Sequence, residues 1–244
     1  MKSSIKIFVI ISFLICVNSL NAQTVDEIIA RHLKARGGTE ALKSVGAIQF
    51  IGKIETAGMN LKMLFVEELP DKMRFQVDMN GTPGVTVFTA DSGWIFDPSQ
   101  GHYEPTKLSK QEVEQKKPLI SHLMVFFDDL LLNYKEKSLQ VSFIGRDTIA
   151  GKQAYKLLVM LKDGTVITYY IDTRDFLDYH HKVLFPDLNV IFDIELSNFA
   201  LVEGLNIPLN IESKIKNQSM TKISIETIKI NPDLNKEYFN MPEF

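Results

Sequence analysis

The side chains that could carry acid–base or metal chemistry stand in two short clusters, His180-His181 and Asp128-Asp129. Adjacent strand residues point to opposite faces of a sheet, so the two histidines cannot hold one metal ion without help. The aspartates follow an apolar segment and are more typical of its solvated edge than of an acid–base pair. The chain also has no Gly-x-Ser-x-Gly motif, no phosphate-binding glycine loop and no His-Glu-x-x-His motif. We therefore expect no catalytic residues, no metal site and no cofactor.

The side chains that could bind a ligand are apolar. Methionines and aromatic residues concentrate in the first half of the chain, and such side chains suit a cavity that adapts to flexible apolar ligands. The same residues could form a dry, packed core, and the sequence leaves both interpretations open. The residues concerned are Met59, Met63, Met73, Met79, Met124, Met160, Phe50, Phe65, Phe75, Phe88, Trp94, Phe96, Phe126 and Phe127.

One helix and many strands must position these side chains. Thr24 and Glu27 form a capping box before a helix that stops at Gly37-Gly38. From Gly46 onward apolar and polar residues alternate, most regularly in residues 73–79, and the pattern returns in residues 139–230, where roughly seven more strands fit. Asn-Gly and Asp-Gly turns between these runs predict antiparallel neighbours.

The strand pattern stops in residues 109–132. A charged stretch there leads into residues 118–132, which are apolar on nearly every side, and together the two stretches predict two helices. A surface helix of a small domain has one apolar face, so the second helix must be buried on several sides or cover something apolar. We predict that it is a mobile lid, because Ser121 and the two aspartates oppose complete burial.

Composition and the first residues bound the class of the protein. The chain has 244 residues, 45% apolar and 23% charged, as in a globular protein. Residues 1–22 combine Lys2 and Lys6 with an apolar stretch and Ala22, which predicts a removable secretory signal. A transmembrane anchor is the alternative, but it needs about 20 apolar residues. Loss of the two lysines makes the net charge of −3 more negative, which argues against nucleic acid as a partner.

The cysteine content indicates the compartment. Cys16 is the one cysteine and lies in the predicted leader, so the mature chain, residues 23–244, would have neither disulfides nor a cysteine-ligated metal. We expect residues 23–244 to form a single domain in the periplasm of a Gram-negative cell envelope.

Three stretches resemble the periplasmic lipoprotein-carrier family that includes LolA. Residues 69–75 (LPDKMRF) open a strand with a proline and an aromatic residue, as in that family. Residues 85–98 pass through a turn into Trp-Ile-Phe-Asp-Pro, which is similar to the family's Trp-aromatic-Asn-Pro stretch. Residues 231–242 are similar to the end of LolA-like envelope proteins.

The resemblance implies a mainly β fold with helices (α+β), an incomplete and strongly curved antiparallel β-barrel closed by a helical lid over an apolar cavity for acyl chains. Residues 109–132 would supply the lid. The family has an arginine before the strand-opening proline, which latches the closed lid, whereas this chain has Leu69. The expected cavity and lid residues are Phe50, Met63, Phe65, Met73, Phe75, Phe88, Trp94, Phe96, Leu123, Phe126 and Phe127.

Trp94 and Phe96 belong to that set because Asp97 follows them in the same predicted strand. The two alternate with Ile95 and Asp97, and an aspartate favours solvent. We therefore predict that the aromatic pair faces inward.

The function predicted from these residues is carriage of lipid or lipoprotein acyl chains, in outer membrane lipoprotein sorting, without catalysis. The partners would be acyl chains or another lipid, together with inner- and outer-membrane proteins, and the chain itself would not be an integral membrane protein. A lipid-sensing or protein-binding regulator on the same fold is the alternative. A hydrolase of unfamiliar geometry is the third hypothesis.

Overall fold

Helices and strands alternate with short turns in the computed structural model, which describes residues 24–79, 81–90, 92–123 and 130–242. In chain order the elements are α1 Val25–Arg36, α2 Thr39–Lys43, β1 Ala47–Thr56, β2 Met59–Glu68, β3 Lys72–Met79, β4 Thr82–Phe88, β5 Gly93–Asp97, β6 His102–Leu108, α3 Lys110–Leu123, β7 Gln140–Ile149, β8 Lys152–Met160, β9 Val166–Asp172, β10 Asp178–Phe185, β11 Val190–Val202, β12 Leu205–Ile215 and β13 Gln218–Ile230.

The strands form one curved antiparallel sheet of 13 strands that does not close on itself. β1–β6 follow one another as hairpins, β7–β13 do the same, and pairing of β1 with β13 joins the two halves. A twisted sheet of this size must curl. The predicted fold class, an incomplete antiparallel barrel with helices, is confirmed.

The strand order explains the insertion. β6 and β7 are consecutive in the chain but lie at the two edges of the sheet, so the segment between them must cross its open side. The prediction of two helices in residues 109–132 is wrong for the described part, because α3 continues through Pro118 and residues 130–138 form turns. A proline inside a helix removes one hydrogen bond and kinks the helix without always ending it. No helix in the described ranges is long and apolar enough to cross a bilayer.

α1 packs on the sheet face that the insertion crosses. The predicted capping box is confirmed, since the Thr24 and Glu27 side chains each accept from the other's backbone N–H, and Gly37 ends the helix. Its buried face consists of Ile28, Ile29, His32, Leu33 and Arg36, spaced as one side of a helix requires. Two of these five residues are polar, which sets up the buried cluster described below.

The alternation of β1 continues through Ile51, which faces outward and is 45% exposed although it is apolar. Phe50 and Ile54 are buried as predicted, and the register with β13 shifts between Ile51 and Gly52. A Cβ at Gly52 would lie 2.2 Å from the Ser224 carbonyl oxygen, so only glycine fits there. β13 can therefore approach β1 closely at the joint between the two halves of the sheet.

The C-terminal segment, residues 231–242, lies on the opposite face of the sheet. It forms a 3-10 turn at Lys236–Phe239 and buries Phe239 against Trp94. Arg74 of β3 donates from Nη1 to the Tyr238 carbonyl oxygen at 2.8 Å. The two faces of the sheet thus have separate apolar clusters.

Candidate functional site

An apolar wall covers the helix-facing side of β1–β4. We use this name for Phe50, Met63, Phe65, Met73, Phe75 and Phe88, which the sequence analysis assigned to the cavity. Phe50 pairs across the strands with Phe65, which pairs with Phe75, so the three side chains share one face. The Phe50 and Phe65 rings stack with centroids 4.8 Å apart.

The side chains at the centre of the wall are buried, and those at its margin are partly exposed. Phe50, Phe65 and Phe88 are 0–1% exposed. Phe75 and its neighbours Val77 and Ile95 are only half-buried, although they pack against the same cluster. Apolar side chains that remain partly accessible beside a packed core are compatible with a binding site for an apolar ligand.

Helix α3 lies against this wall. Ser109 and Glu112 cap its first turn, with the Ser109 N–H donating to Glu112 Oε2 at 2.8 Å, and this hydrogen bonding lowers the pKa of Glu112. Val113 is buried in the wall's cluster, while Leu119 and Ile120 are half-buried against it. Of the lid residues in the prediction, Leu123 is the last helical residue, and Phe126 and Phe127 lie outside the described residues, as do Asp128 and Asp129.

A lysine fixes α3 to the sheet at the point where the resemblance implied an arginine. Lys117 of α3 donates from Nζ to the Asp71 carbonyl oxygen at 2.8 Å, in the turn that begins at Leu69. Burial lowers the pKa of Lys117. The basic side chain thus comes from the helix to the turn, the reverse of the family's direction, and the sequence analysis did not consider it.

The far end of the insertion is fixed to α1 instead. Tyr134 donates its hydroxyl to Asp26 Oδ1, and Lys135 donates to Asp26 Oδ2 at 2.8 Å. Hydrogen bonds from these two residues lower the pKa of Asp26. Leu131 beside them is fully buried in the core, so the insertion is anchored at both of its described ends.

Trp94 and Phe96 lie on the other side of the sheet, so the prediction that they face inward is wrong. The register pairs Trp94 with Val87 and leaves Phe88, a wall residue, opposite Gly93. Trp94 packs under the C-terminal segment and donates from Nε1 to the Phe239 carbonyl oxygen at 3.1 Å. The prediction assumed that Asp97 faces solvent. In the structure Asp97 accepts hydrogen bonds from the Ser99 backbone N–H and hydroxyl in the next turn. The C-terminal segment that covers Trp94 is also far from it in sequence.

A second group of polar side chains is buried beneath α1. Asp178, Arg36, His181 and His32 are each 0–3% exposed. Arg36 Nη1 lies 3.3 Å from Asp178 Oδ1, and His181 Nε2 lies 2.8 Å from Asp178 Oδ2. Burial alone raises the pKa of Asp178, but the positive charge of Arg36, the electrostatic interaction with His32 and the hydrogen bond with His181 lower it by more, so the pKa ends well below 3.8.

Sequence reasoning missed this cluster because of a bulge. Residues three apart in a regular strand point to opposite faces, but the register of β10 with β9 shifts between Asp178 and His180 and brings Asp178 and His181 to the same side. The cluster ties α1 to the sheet, since Arg36 Nε also donates to the Asn206 carbonyl oxygen at 3.1 Å.

His180 lies on the opposite face from His181, as predicted. It contacts Asp193, while His181 contacts Asp178, and burial lowers the pKa of His180. Within the described part of the chain, no three His, Cys, Asp or Glu side chains are arranged to hold a metal ion.

Comparison with known proteins identifies the fold. No protein-family model and no curated protein matches the sequence. The chain is similar to a DUF1329 family protein from Desulfovibrio piger, with a TM-score of 0.58 and 11% identity over 90% of this chain and 98% of that one. A LolA superfamily protein from Nitrosomonas europaea has a TM-score of 0.56 and 11% identity over 90% and 98%. The chain has the LolA-like fold.

A third solved structure agrees. A domain named for outer membrane lipoprotein sorting, from Vibrio parahaemolyticus, has a TM-score of 0.55 and 9% identity over 88% of this chain and 95% of that one. All three likenesses span nearly the whole of each chain. The resemblance inferred from the sequence is thereby confirmed for the fold.

Proposed function

We propose that this protein binds lipid or lipoprotein acyl chains between the apolar wall and helix α3, in the periplasm, after removal of residues 1–22. The observation that carries the proposal is the wall itself, a row of buried methionine and phenylalanine side chains that continues into half-buried apolar residues at Phe75, Val77 and Ile95. Its role would be to carry these chains for outer membrane lipoprotein sorting, with membrane proteins as donor and acceptor.

The chemistry of the wall suits such a ligand. Acyl chains have no hydrogen-bonding groups, so affinity must come from burial, at about 0.8 kcal/mol for each CH₂ group. Met63 and Met73 are flexible and fill irregular gaps, which lets one wall accept chains of different shape. One of the proteins with this fold is named for lipoprotein sorting, which supports the same class of ligand.

Native purification followed by organic extraction and mass spectrometry tests the proposal directly. We expect a co-purifying lipid or acylated peptide. An extract free of lipid, from protein that also fails to bind lipid in titration, would contradict the proposal and favour the protein-binding regulator.

A pair of matched variants tests where the ligand binds. Phe75 and Phe96 are both half-buried phenylalanines on neighbouring parts of the sheet, but they lie on opposite faces. Phe75→Glu places a charge on the wall and should weaken binding of a lysophospholipid in calorimetry by at least about tenfold, whereas Phe96→Glu should leave it unchanged. Equal effects of the two variants would contradict a site on the wall.

Hydrogen exchange tests whether α3 is a lid. Amides of residues 119–123 should exchange faster than those of the central strands and become protected when lysophospholipid is added. Protection equal to that of the central strands, with and without lipid, would mean that this part of α3 is permanent core.

A further inference from the structure

A second concave site lies on the sheet face away from the helices, far from the apolar wall. We call it the outer pocket. Its lining residues come from β7 to β13, and its volume is about 600 Å³, within the range of about 300–1,000 Å³ for small-molecule sites. The register shows which face it opens on, because His180 pairs with Glu195 while their neighbours His181 and Ile194 pair on the helix-covered side.

One row of the outer pocket consists of small uncharged polar side chains. Ser197 pairs across the strands with Asn210, and Asn210 pairs with Ser224, so their side chains stand side by side. All three are exposed and line the pocket. Together they offer hydroxyl and amide groups that both donate and accept hydrogen bonds.

The three carboxylates that line the outer pocket already pair with basic side chains, and the lining Lys152 has its Nζ 2.9 Å from the centroid of the Tyr179 ring. Glu195 lies 2.7 Å from Lys214, and Glu212 lies 3.4 Å from Lys214 and 3.9 Å from Lys222. Asp172 pairs with Arg174 at 3.5 Å. A cationic ligand would find these carboxylates already paired, and an anionic ligand would meet three of them. A carboxylate holds about four acceptor positions, however, so these carboxylates can still accept from hydroxyl groups.

The remaining lining is apolar and aromatic. Tyr170 and Tyr179 stand beside Ile149, Ala150 and Ala154. A sugar ring combines C–H surface that can cover such side chains with hydroxyl groups at its edge. A peptide is a poorer match, because β8–β12 are interior strands whose backbone groups already pair on both sides and cannot accept an added strand.

We propose that the outer pocket binds a neutral saccharide of one or two rings, held by the Ser197–Asn210–Ser224 row and the carboxylates of Glu195 and Glu212. The outer pocket is on the other face of the sheet from the apolar wall, so the proposal of saccharide binding does not depend on the proposed lipid-binding function. Burial also lowers the pKa of His180, which is one of the lining residues, in keeping with a neutral ligand.

Nuclear magnetic resonance titration tests the proposal with cellobiose and N,N′-diacetylchitobiose as neutral probes and inorganic phosphate as the ionic probe. We expect saturable shifts of backbone amides in residues 195–198, 210–212 and 222–224 with at least one saccharide. Asn210→Leu should weaken that binding about tenfold or more, because it removes hydrogen bonds from the middle of the row.

Asn60→Leu is the matched control, since Asn60 is an exposed strand residue outside the pocket lining. It should bind the saccharide as the parent chain does. The proposal is overturned if neither saccharide shifts these amides, if phosphate shifts them more strongly, or if Asn210→Leu binds as tightly as Asn60→Leu. Circular dichroism of both variants establishes that they are folded before the comparison is made.

Discussion

Replacement of Asp178 by asparagine tests the energetics of the cluster beneath α1. The side chains of Arg36 and Asp178 are 4% and 1% exposed and lie 3.3 Å apart. Removal of one partner of a buried ion pair leaves an uncompensated charge and typically costs about 3–5 kcal/mol of unfolding free energy. Because an asparagine oxygen can still accept one hydrogen bond from Arg36, we expect a loss near the lower end, about 3 kcal/mol.

Urea denaturation followed by circular dichroism measures this loss. Glu226→Gln is the control, since it makes the same carboxylate-to-amide change in the Lys53–Glu226 pair, whose side chains are both 51% exposed. An exposed pair contributes about 0–1 kcal/mol. If Asp178→Asn lowers the unfolding free energy by no more than Glu226→Gln does, burial does not make the Arg36–Asp178 pair important for stability.

The pH dependence supplies a second check on the same residue. The folded-state pKa of Asp178 lies well below 3.8, so ionisation of Asp178 stabilises the fold above pH 3.8 and that stabilisation is lost only as the pH falls below 3.8. The groups that face Asp178 are Arg36, His32 and His181. The stability difference between the parent chain and Asp178→Asn should therefore narrow only under acid conditions below pH 3.8, and a difference already lost near neutral pH would contradict this.

Three further predictions follow from contacts elsewhere in the sheet. Gly52→Ala should lower the unfolding free energy, measured in thermal melts, by well over about 1 kcal/mol, because its Cβ would lie 2.2 Å from a carbonyl oxygen of β13. The control is Gly46→Ala, whose Cβ would have its nearest atom at 3.7 Å and which should change the unfolding free energy little. Asn231→Ala should lower the unfolding free energy by about 1–3 kcal/mol, also measured in thermal melts, since Asn231 Oδ1 accepts from the backbone N–H groups of Gly46 and Ala47 at 2.7 and 3.1 Å. Truncation that removes Phe239 should shift Trp94 emission to the red, and unchanged emission would mean that the tail does not cover Trp94.

Local pattern was sufficient to predict the strands and the first helix of this fold, but not the single helix that the described part of the insertion forms. The alternation in residues 73–79 appears as β3, and the capping box at Thr24 begins α1. Such signals are short-range, because they depend on side chains one to four residues apart. The pairing of β1 with β13 is different: it joins residues almost the whole chain apart, and only the resemblance to a known family pointed to a single curved sheet.

Which face a residue occupies was harder to predict than which strand it belongs to. A one-residue change of register exchanges the two faces, and Trp94 and His181 show this in different ways. For Trp94 the decisive facts were the turn register and a distant tail, and for His181 the bulge that brings Asp178 to its side. An apolar residue in a sheet with apolar clusters on both faces therefore cannot be assigned to a cavity by its type alone.

The low identity to structures of the same fold bears on function. Likenesses at TM-scores of 0.55–0.58 accompany only 9–11% identity, and cores tolerate extensive exchange of large apolar residues when volume and pattern are kept. A wall that binds acyl chains needs only such residues, so selection for binding leaves little trace in the sequence. Under the proposed function, the acyl chains that the wall accepts would depend on the side chains at its margin, such as the half-buried Phe75, and on the Lys117 contact that holds α3. Those are the residues whose substitution will be most informative.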